Sequence, residues 1–329
     1  MRIDPISSRS LRRLSFFCAL LIVVLHSYAE GSFVQIMVTR SITRVAVPIF
    51  FVISGLLLFK DFACTIEWGM GKLRKRLYTL VAPYFVWAVI SLLFNLYKVE
   101  WQLGSFHWWS EIFGITTSAP LYAGHLWYVR LVFVFCICAL PMGWLIKRTS
   151  FAVPIFAILL YVVALRSQYW SSLCWFCVGS VIALGKYPPA LEKALKKKYV
   201  VWSLGAIALT LLFVRTAVFA GCVEVPWSIV RFERATEFIL VATSLPVMWL
   251  LCRMLDDVDA VKHVDGVLSS AFFIYLIHPY VYGIVPASVF WILRIVVAIS
   301  ICIGVYLLIN RYAPRALAVL TGGRASPSE

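Results

Sequence analysis

Three histidines and an arginine stand inside or at the ends of strongly apolar segments. His26 closes the run LLIVVLHS, Arg44 opens RVAVPIFFVISGLLLF, His125 belongs to GHLWYVR, and His278 precedes a proline in FFIYLIHPYVY. A neutral imidazole accepts a proton near physiological pH, and a guanidinium stabilises negative charge. His26 is therefore a candidate for a proton-handling group inside the membrane. Ionisable groups within membrane segments are functional candidates by default, although each could instead be an interfacial or packing residue.

The composition predicts that membrane-spanning helices position these residues. Of 329 residues, 62% are hydrophobic and 14% are charged, and the mean hydropathy is +0.91. Soluble domains carry about 25% charged residues and less apolar content. The sequence therefore predicts an all-α, polytopic membrane helix bundle. The net charge of +15 does not indicate nucleic-acid binding, because the basic residues fall in short loops between apolar runs.

About ten apolar runs approach the roughly 20 residues that a helix needs to cross the hydrocarbon core. We expect one membrane domain over residues 1–329, with a basic tail at 1–13 and a C-terminal tail at 312–329. The predicted spans are 14–31, 44–59, 78–97, 126–145, 151–165, 170–185, 199–219, 235–252, 269–284 and 290–310.

The loop charges predict that both termini are cytoplasmic. Basic residues concentrate on the cytoplasmic side of membrane proteins, and an even number of spans puts both basic ends there. Residues 1–29 also fit a signal peptide, but its removal would leave nine spans and disturb this balance. The predicted inner segments then hold 21 of the 30 Lys and Arg residues, namely Arg2, Arg9, Arg12, Arg13, Lys60, Lys72, Arg74, Lys75, Arg76, Lys147, Arg148, Lys186, Lys193, Lys196, Lys197, Lys198, Arg253, Lys262, Arg311, Arg315 and Arg324.

Two further patterns are candidates for ligand binding. Arg74, Lys75 and Arg76 precede the third span on its cytoplasmic side, where they either set topology or bind an anion such as the phosphates of coenzyme A. The predicted outer loop 98–125 is rich in Trp and leads into Trp127 and Arg130. Aromatic residues there either anchor the interface or stack on a carbohydrate. The nine Cys residues show no spacing typical of a metal site or a disulfide framework.

In chain order, the segments VVLHS, RVAVPIFFVISGLLLF, KRLYTLVAPYFVW, GHLWYV and IYLIHPYVY resemble the acyltransferase-3 family of integral membrane O-acyltransferases. The resemblance covers about residues 11–311. The size, without an appended soluble domain, is similar to the stand-alone acetyltransferases that modify surface polysaccharides and their lipid-linked precursors.

The resemblance implies roles for individual positions. His26 matches the first-span histidine taken as the catalytic base, and Arg44 matches the arginine before the PxFFxxSG stretch. The family's cytoplasmic motif for acyl-CoA corresponds to Arg74, Lys75 and Arg76. The HLW segment contains His125 and Trp127, and His278 matches the ninth-span histidine. One departure is Ser15, where the family commonly has arginine, with Arg12 and Arg13 just upstream.

These matches imply an O-acyltransferase that moves an acyl group, expected to be acetyl, from acyl-CoA to a hydroxyl of a surface polysaccharide or lipid-linked glycan. We expect His26, Arg44 and His125 in catalysis, and Trp127, Arg130 and His278 in substrate binding. Acetyl-CoA would be a co-substrate, with no metal and no permanently bound cofactor, and the location would be the bacterial cytoplasmic (inner) membrane. The rival hypotheses are a transporter or exporter of a small solute or lipid-linked sugar, and an inactive homologue acting as a scaffold.

Overall fold

The computed structural model describes residues 8–27, 31–96, 124–149, 168–225, 228–255 and 265–323. These segments are helical and contain no β-strand. Two helices are composite: α2 (Phe33–Phe59) and α3 (Ile66–Phe94) each contain an internal π turn. The other helices are α1 (Ser8–Leu25), α4 (Trp127–Ile137), α5 (Ala139–Thr149), α6 (Gln168–Ala183), α7 (Pro189–Leu195), α8 (Lys198–Phe219), α9 (Ile229–Met254), α10 (Asp265–Leu268), α11 (Ala271–Ile284), α12 (Trp291–Tyr312) and α13 (Pro314–Thr321).

The prediction of an all-α, multi-pass membrane protein is confirmed. Within the described residues, five helices are long and apolar enough to cross a membrane: α2, α3, α8, α9 and α12. The bent pair α4–α5 would make a sixth, and α6 and α11 are shorter apolar helices. The predicted span 151–165 and the outer loop up to residue 123 lie outside the described residues. The count of ten spans therefore stays a prediction.

Several helices begin earlier than their apolar runs. The second span was predicted from residue 44, but α2 begins at Phe33, where Ser32 and Gln35 form a capping box. The third was predicted from residue 78, but α3 begins at Ile66 after an N-cap by Thr65. Polar caps satisfy the unpaired N–H groups of a first turn. Hydropathy therefore detects only the apolar part of each helix.

The fourth predicted span, 126–145, is not one straight helix. α4 and α5 meet at Cys138 with a bend of 67°. Pro141 lies at the third position of α5, where it cannot donate a hydrogen bond to the carbonyl of Ile137 and its ring crowds that oxygen. Sharp kinks are almost always found at such prolines. This break lets α4 and α5 take different directions within the bundle.

The first helix belongs to the centre of the bundle. Leu14, Cys18, Ile22 and Val23 are buried, and α1 contacts α2, α9, α11 and α12. It ends at Leu25, earlier than the predicted boundary at residue 31, because the next residues form a turn. A segment so deeply packed is a structural part of the bundle.

The basic loops meet at one end of the bundle, which we call the basic end. Arg13, near the start of α1, donates to the Cys252 carbonyl near the end of α9 at 3.4 Å. Lys147, at the end of α5, lies 5.0 Å from the ring centroid of Phe62, between α2 and α3. The positive-inside rule predicts that this end is cytoplasmic. The opposite end, called the far end, is then predicted to face outward.

Two glycines let α2 and α6 pack with their backbones in close approach. A Cβ added to Gly55 would meet the Phe176 carbonyl oxygen well inside contact distance, and a Cβ on Gly179 would meet the Val52 carbonyl oxygen in the same way. Small residues at helix crossings are typical of membrane bundles. This crossing fixes the distance between two helices that carry residues of the site described below.

We therefore predict that Gly55→Ala and Gly179→Ala each destabilise the protein by about 1–3 kcal/mol, because backbone atoms cannot move aside as a flexible side chain does. Thermal unfolding of purified protein in detergent measures this. Gly304→Ala in α12 is the matched control, since nothing lies within 4 Å of the added methyl group. If neither Gly55→Ala nor Gly179→Ala lowered the unfolding temperature, the close packing of α2 on α6 would be contradicted.

Candidate active site

A cavity of about 300 Å³ lies toward the far end of the bundle. It is lined by the end of α1, the middle of α2, the beginnings of α4, α6 and α9, and by α11. The volume is at the lower end of the range for small-molecule sites. Four of the predicted site residues line it: His26, Arg44, His125 and Trp127. Residues from distant parts of the sequence thus meet in one space.

His26 sits immediately after the last residue of α1, and two neighbouring helices hold the backbone around it. The Tyr282 hydroxyl of α11 donates to the Val23 carbonyl at 2.9 Å, and Arg294 Nη1 of α12 donates to the Ser27 carbonyl at 2.9 Å. The Arg294 guanidinium lies 4.9 Å from the centroid of the Tyr282 ring. Carbonyls at the end of a helix have no partner within the helix. These two donors therefore fix the chain on both sides of His26.

His278 lies beside His26, with their ring centroids 4.9 Å apart. His278 is fully buried, and its Nδ1 is 2.8 Å from the Tyr275 carbonyl and 3.3 Å from the Ile274 carbonyl. A carbonyl only accepts, so Nδ1 carries the proton in the neutral ring. Nε2 is then the basic nitrogen, and it has no hydrogen-bond partner among the described residues.

His125 lies in a short helical turn, Gly124–Leu126, which precedes α4 and contacts α11. The Tyr275 hydroxyl donates to the His125 carbonyl, and the ring centroids of the two residues lie 6.3 Å apart. Its ring centroid lies 6.1 Å from that of His278. Its Nε2 is buried and has no hydrogen-bond partner in the described part of the chain. Two imidazole nitrogens are thus left available next to His26.

Arg44 is held by an acidic residue of α9. Its Nη2 lies 2.9 Å from the Glu233 carboxylate. The buried Arg215 of α8 donates to the Glu233 carbonyl at 2.7 Å and to the Thr236 hydroxyl. Arg44 Nε has no partner among the described residues. The arginine is therefore oriented by one contact and keeps a donor for a ligand.

The cavity also contains polar residues that were not among the predicted site residues. Arg234 and Glu237 of α9 both line it, and their side chains approach to 4.0 Å. Ser171 and Ser172 of α6 also line the cavity. One sequence pattern could have indicated Arg234 and Glu237. An Arg and a Glu three residues apart inside an apolar segment lie on one face of a helix. No sequence pattern indicated Ser171 and Ser172, because their position depends on the bend between α4 and α5 and on how the helices cross.

The remaining predicted site residues lie elsewhere. Arg130 is half-buried and does not line the cavity; its Nη2 is 3.5 Å from the Tyr169 hydroxyl. Arg74 and Lys75 are exposed and Arg76 is half-exposed, at the basic end of the bundle. The structure therefore separates the predicted acyl-CoA residues from the histidine cavity. Their assigned roles stay predictions.

Ser15, where the family commonly has arginine, and the arginines just before it lie at the basic end. Arg13 is buried, with 1% of its surface exposed, whereas Arg12 is exposed and Ser15 is half-buried. Arg13 thus turns its guanidinium into the bundle, toward the Cys252 carbonyl. An arginine near the start of α1 does enter the protein, although it does not line the cavity.

The backbone contacts around His26 generate a prediction about local stability. Replacing Tyr282 with Phe, or Arg294 with Gln, should speed hydrogen exchange over residues 23–27 by roughly fivefold or more, because each removes a hydrogen bond worth about 1 kcal/mol or more. Mass spectrometry after deuterium labelling measures the exchange. Tyr312→Phe and Arg311→Gln are matched controls on exposed residues of α12. Exchange at the end of α1 that matches these controls would show that the two donors do not hold it.

Comparison with known proteins agrees with this architecture. The family model described as an acyltransferase domain matches residues 11–311, nearly the whole chain. No curated protein and no solved structure matches it. The matched region includes His26, Arg44, His125 and His278, all of which meet at or beside the cavity. The chain is therefore a multi-pass membrane acyltransferase that belongs to the acyltransferase-3 family.

Proposed function

We propose that the protein is an O-acyltransferase that moves an acetyl group from acetyl-CoA to a hydroxyl of a surface polysaccharide or lipid-linked glycan. The observation that carries the proposal is the convergence of His26, Arg44 and His125 in one cavity, with His278 against His26. Acyl transfer to an alcohol needs a base for the hydroxyl proton and a donor for the oxyanion. The proposed setting is the bacterial cytoplasmic membrane.

In the proposed reaction, His26 takes the hydroxyl proton as the hydroxyl oxygen attacks the thioester carbonyl carbon. Arg44, whose Nε is available, stabilises the oxyanion that forms. The intermediate collapses by breaking the carbon–sulfur bond, and the coenzyme A thiolate takes the proton from His26. The products are the O-acyl ester and free coenzyme A.

The three neighbouring imidazoles support a base that is neutral before the reaction. Their ring centroids lie 4.9 Å and 6.1 Å apart, for His26 with His278 and for His125 with His278. Like charges at such separations disfavour each other, most strongly where water is excluded. The group is therefore expected to carry no more than one proton at a time, which suits transient uptake of the hydroxyl proton during the reaction.

The donor and the base are expected at opposite ends of the bundle. Arg74, Lys75 and Arg76 form the proposed contact with the coenzyme A phosphates at the basic end, while His26 lines the cavity toward the far end. The acyl group must cross this distance on the long pantetheine arm or through a covalent relay. Both routes end with the acyl carbon beside His26.

The transport hypothesis shares some of these features. The bend at Cys138 and the π turn Met37–Ser41 are the kind of helix interruptions found at transport sites as well as catalytic ones. Incubating the purified protein with radiolabelled acetyl-CoA and a carbohydrate extract separates the two. Covalent label on carbohydrate supports acyl transfer, whereas solute flux without label supports transport.

We predict that His26→Ala lowers kcat/KM for acyl transfer by about a hundredfold or more, the usual contribution of a general base. The assay is label transfer from acetyl-CoA at matched protein levels. His263→Ala is the control, because the sequence puts that histidine between two predicted spans. Full activity in a well-folded His26→Ala variant would remove His26 from the mechanism.

We also predict that an Arg74→Ala, Lys75→Ala double variant raises KM for acetyl-CoA roughly fivefold while kcat changes little, because the loss is in charge-assisted phosphate binding. The effect should shrink as salt is added. A Lys193→Ala, Lys197→Ala variant removes two exposed charges from another loop at the same end and is the matched control. An equal rise in KM for both variants would mean that the effect is only one of overall charge.

A further inference from the structure

Arginine supplies nearly all of the positive charge away from the predicted inner loops. Among the 21 basic residues assigned to those loops, arginine and lysine occur in nearly equal numbers. The remaining nine are one lysine and eight arginines, namely Lys98, Arg40, Arg44, Arg130, Arg166, Arg215, Arg231, Arg234 and Arg294. Arginine binds phosphate and carboxylate through a planar fork of donors, which lysine lacks.

Four of these arginines form two pairs, and each pair has one exposed residue and one residue that lines the cavity. On α2, Arg40 is exposed and Arg44, four residues later, lines the cavity. On α9, Arg231 is exposed and Arg234, three residues later, lines the same cavity. Arg231 and Arg234 are three residues apart and share one face of α9, whereas Arg40 precedes Arg44 by about one turn of the π and 3-10 segment of α2. The two helices are adjacent, so the exposed pair lies one turn outward from the cavity pair.

Among the described residues around these arginines, the positive charges outnumber the negative ones. At the far ends of α2, α8 and α9 and in the turn after α8, the described residues include five arginines and three glutamates. Arg44 is paired with Glu233, and Arg234 lies near Glu237. Arg40 stacks on the Phe219 ring at 4.5 Å, and neither it nor Arg231 forms an ion pair within the described part of the chain. Two exposed guanidiniums therefore remain available to a ligand.

We propose that the acceptor is an anionic sugar, with a phosphate or carboxylate group that passes Arg40 and Arg231 and binds at Arg234. This inference rests on the proposed acyl transfer and names the chemical class of its acceptor. Clefts lined by one sign of charge raise the local concentration of an oppositely charged ligand. Arg234 lines the cavity and supplies the positive charge for the anion, while Ser171 and Glu237, which also line it, offer hydrogen bonds to sugar hydroxyls. Arg44 stays with the oxyanion of the proposed reaction. The anchored sugar then presents a hydroxyl toward His26.

Binding can be measured without any acyl transfer, by following tryptophan fluorescence of the full-length protein, since Trp127 and Trp175 line the cavity. The probes are glucose 1-phosphate, glucuronate and glucose. We expect at least one anionic probe to bind more tightly than glucose, and added salt to weaken it. The preferred probe tells whether the anion is a phosphate or a carboxylate. Equal responses to all three, including no response, would overturn the proposal.

An Arg40→Ala, Arg231→Ala double variant should weaken the preferred anionic probe roughly fivefold and leave glucose unaffected. Arg311→Ala with Arg315→Ala is the matched control, because both residues are exposed at the basic end. Unchanged binding of the anionic probe to the Arg40→Ala, Arg231→Ala variant overturns the proposal. So does a variant that loses only the binding of coenzyme A, because these arginines would then bind the acyl donor and not the acceptor. Because binding and label transfer are separate readouts, a failure of the enzymatic proposal is distinguishable from a failure of this one.

Discussion

The structure depends on the hydrogen bonds that neighbouring helices donate to backbone carbonyls at the end of α1. Inside a membrane bundle, a carbonyl that no helix uses must find a donor on a neighbouring helix. Tyr282 and Arg294 supply those donors to Val23 and Ser27. His278 lies four residues before Tyr282, on the same face of α11, and its ring packs against His26. The contacts that close the first helix therefore also set the geometry of the proposed base and its neighbour.

The bundle separates two kinds of positive surface. At the basic end, exposed Lys and Arg residues such as Arg74 and Lys75 occupy loops that the charge pattern predicts to be cytoplasmic. Toward the far end, arginines are interleaved with glutamates around the cavity, as in the pair of Arg44 with Glu233. The first arrangement suits a phosphorylated donor that arrives from the cytoplasm. The second suits an acceptor that must be oriented, and in the proposed reaction the acyl group passes between the two.

The sequence predicted the membrane bundle and the main candidate residues because ionisable groups in apolar segments are conspicuous. His26, Arg44 and His125 were named in that way, and all three line one cavity. The starts of α2 and α3 were missed because polar caps do not register in hydropathy. The contribution of Ser171 was missed because it depends on how α6 crosses α2 at Gly55, which is a long-range packing effect.

The most direct test of the central claim is an experimental structure of the full chain with a thioether analogue of acetyl-CoA, in which the acetyl group cannot leave. Our account predicts that the coenzyme A phosphates lie at the basic end, near Arg74 and Lys75. It also predicts that the acetyl carbonyl lies in the cavity within hydrogen-bond reach of Arg44, beside His26. An analogue whose acetyl end lies outside this cavity, with the three histidines inaccessible to it, would contradict the account.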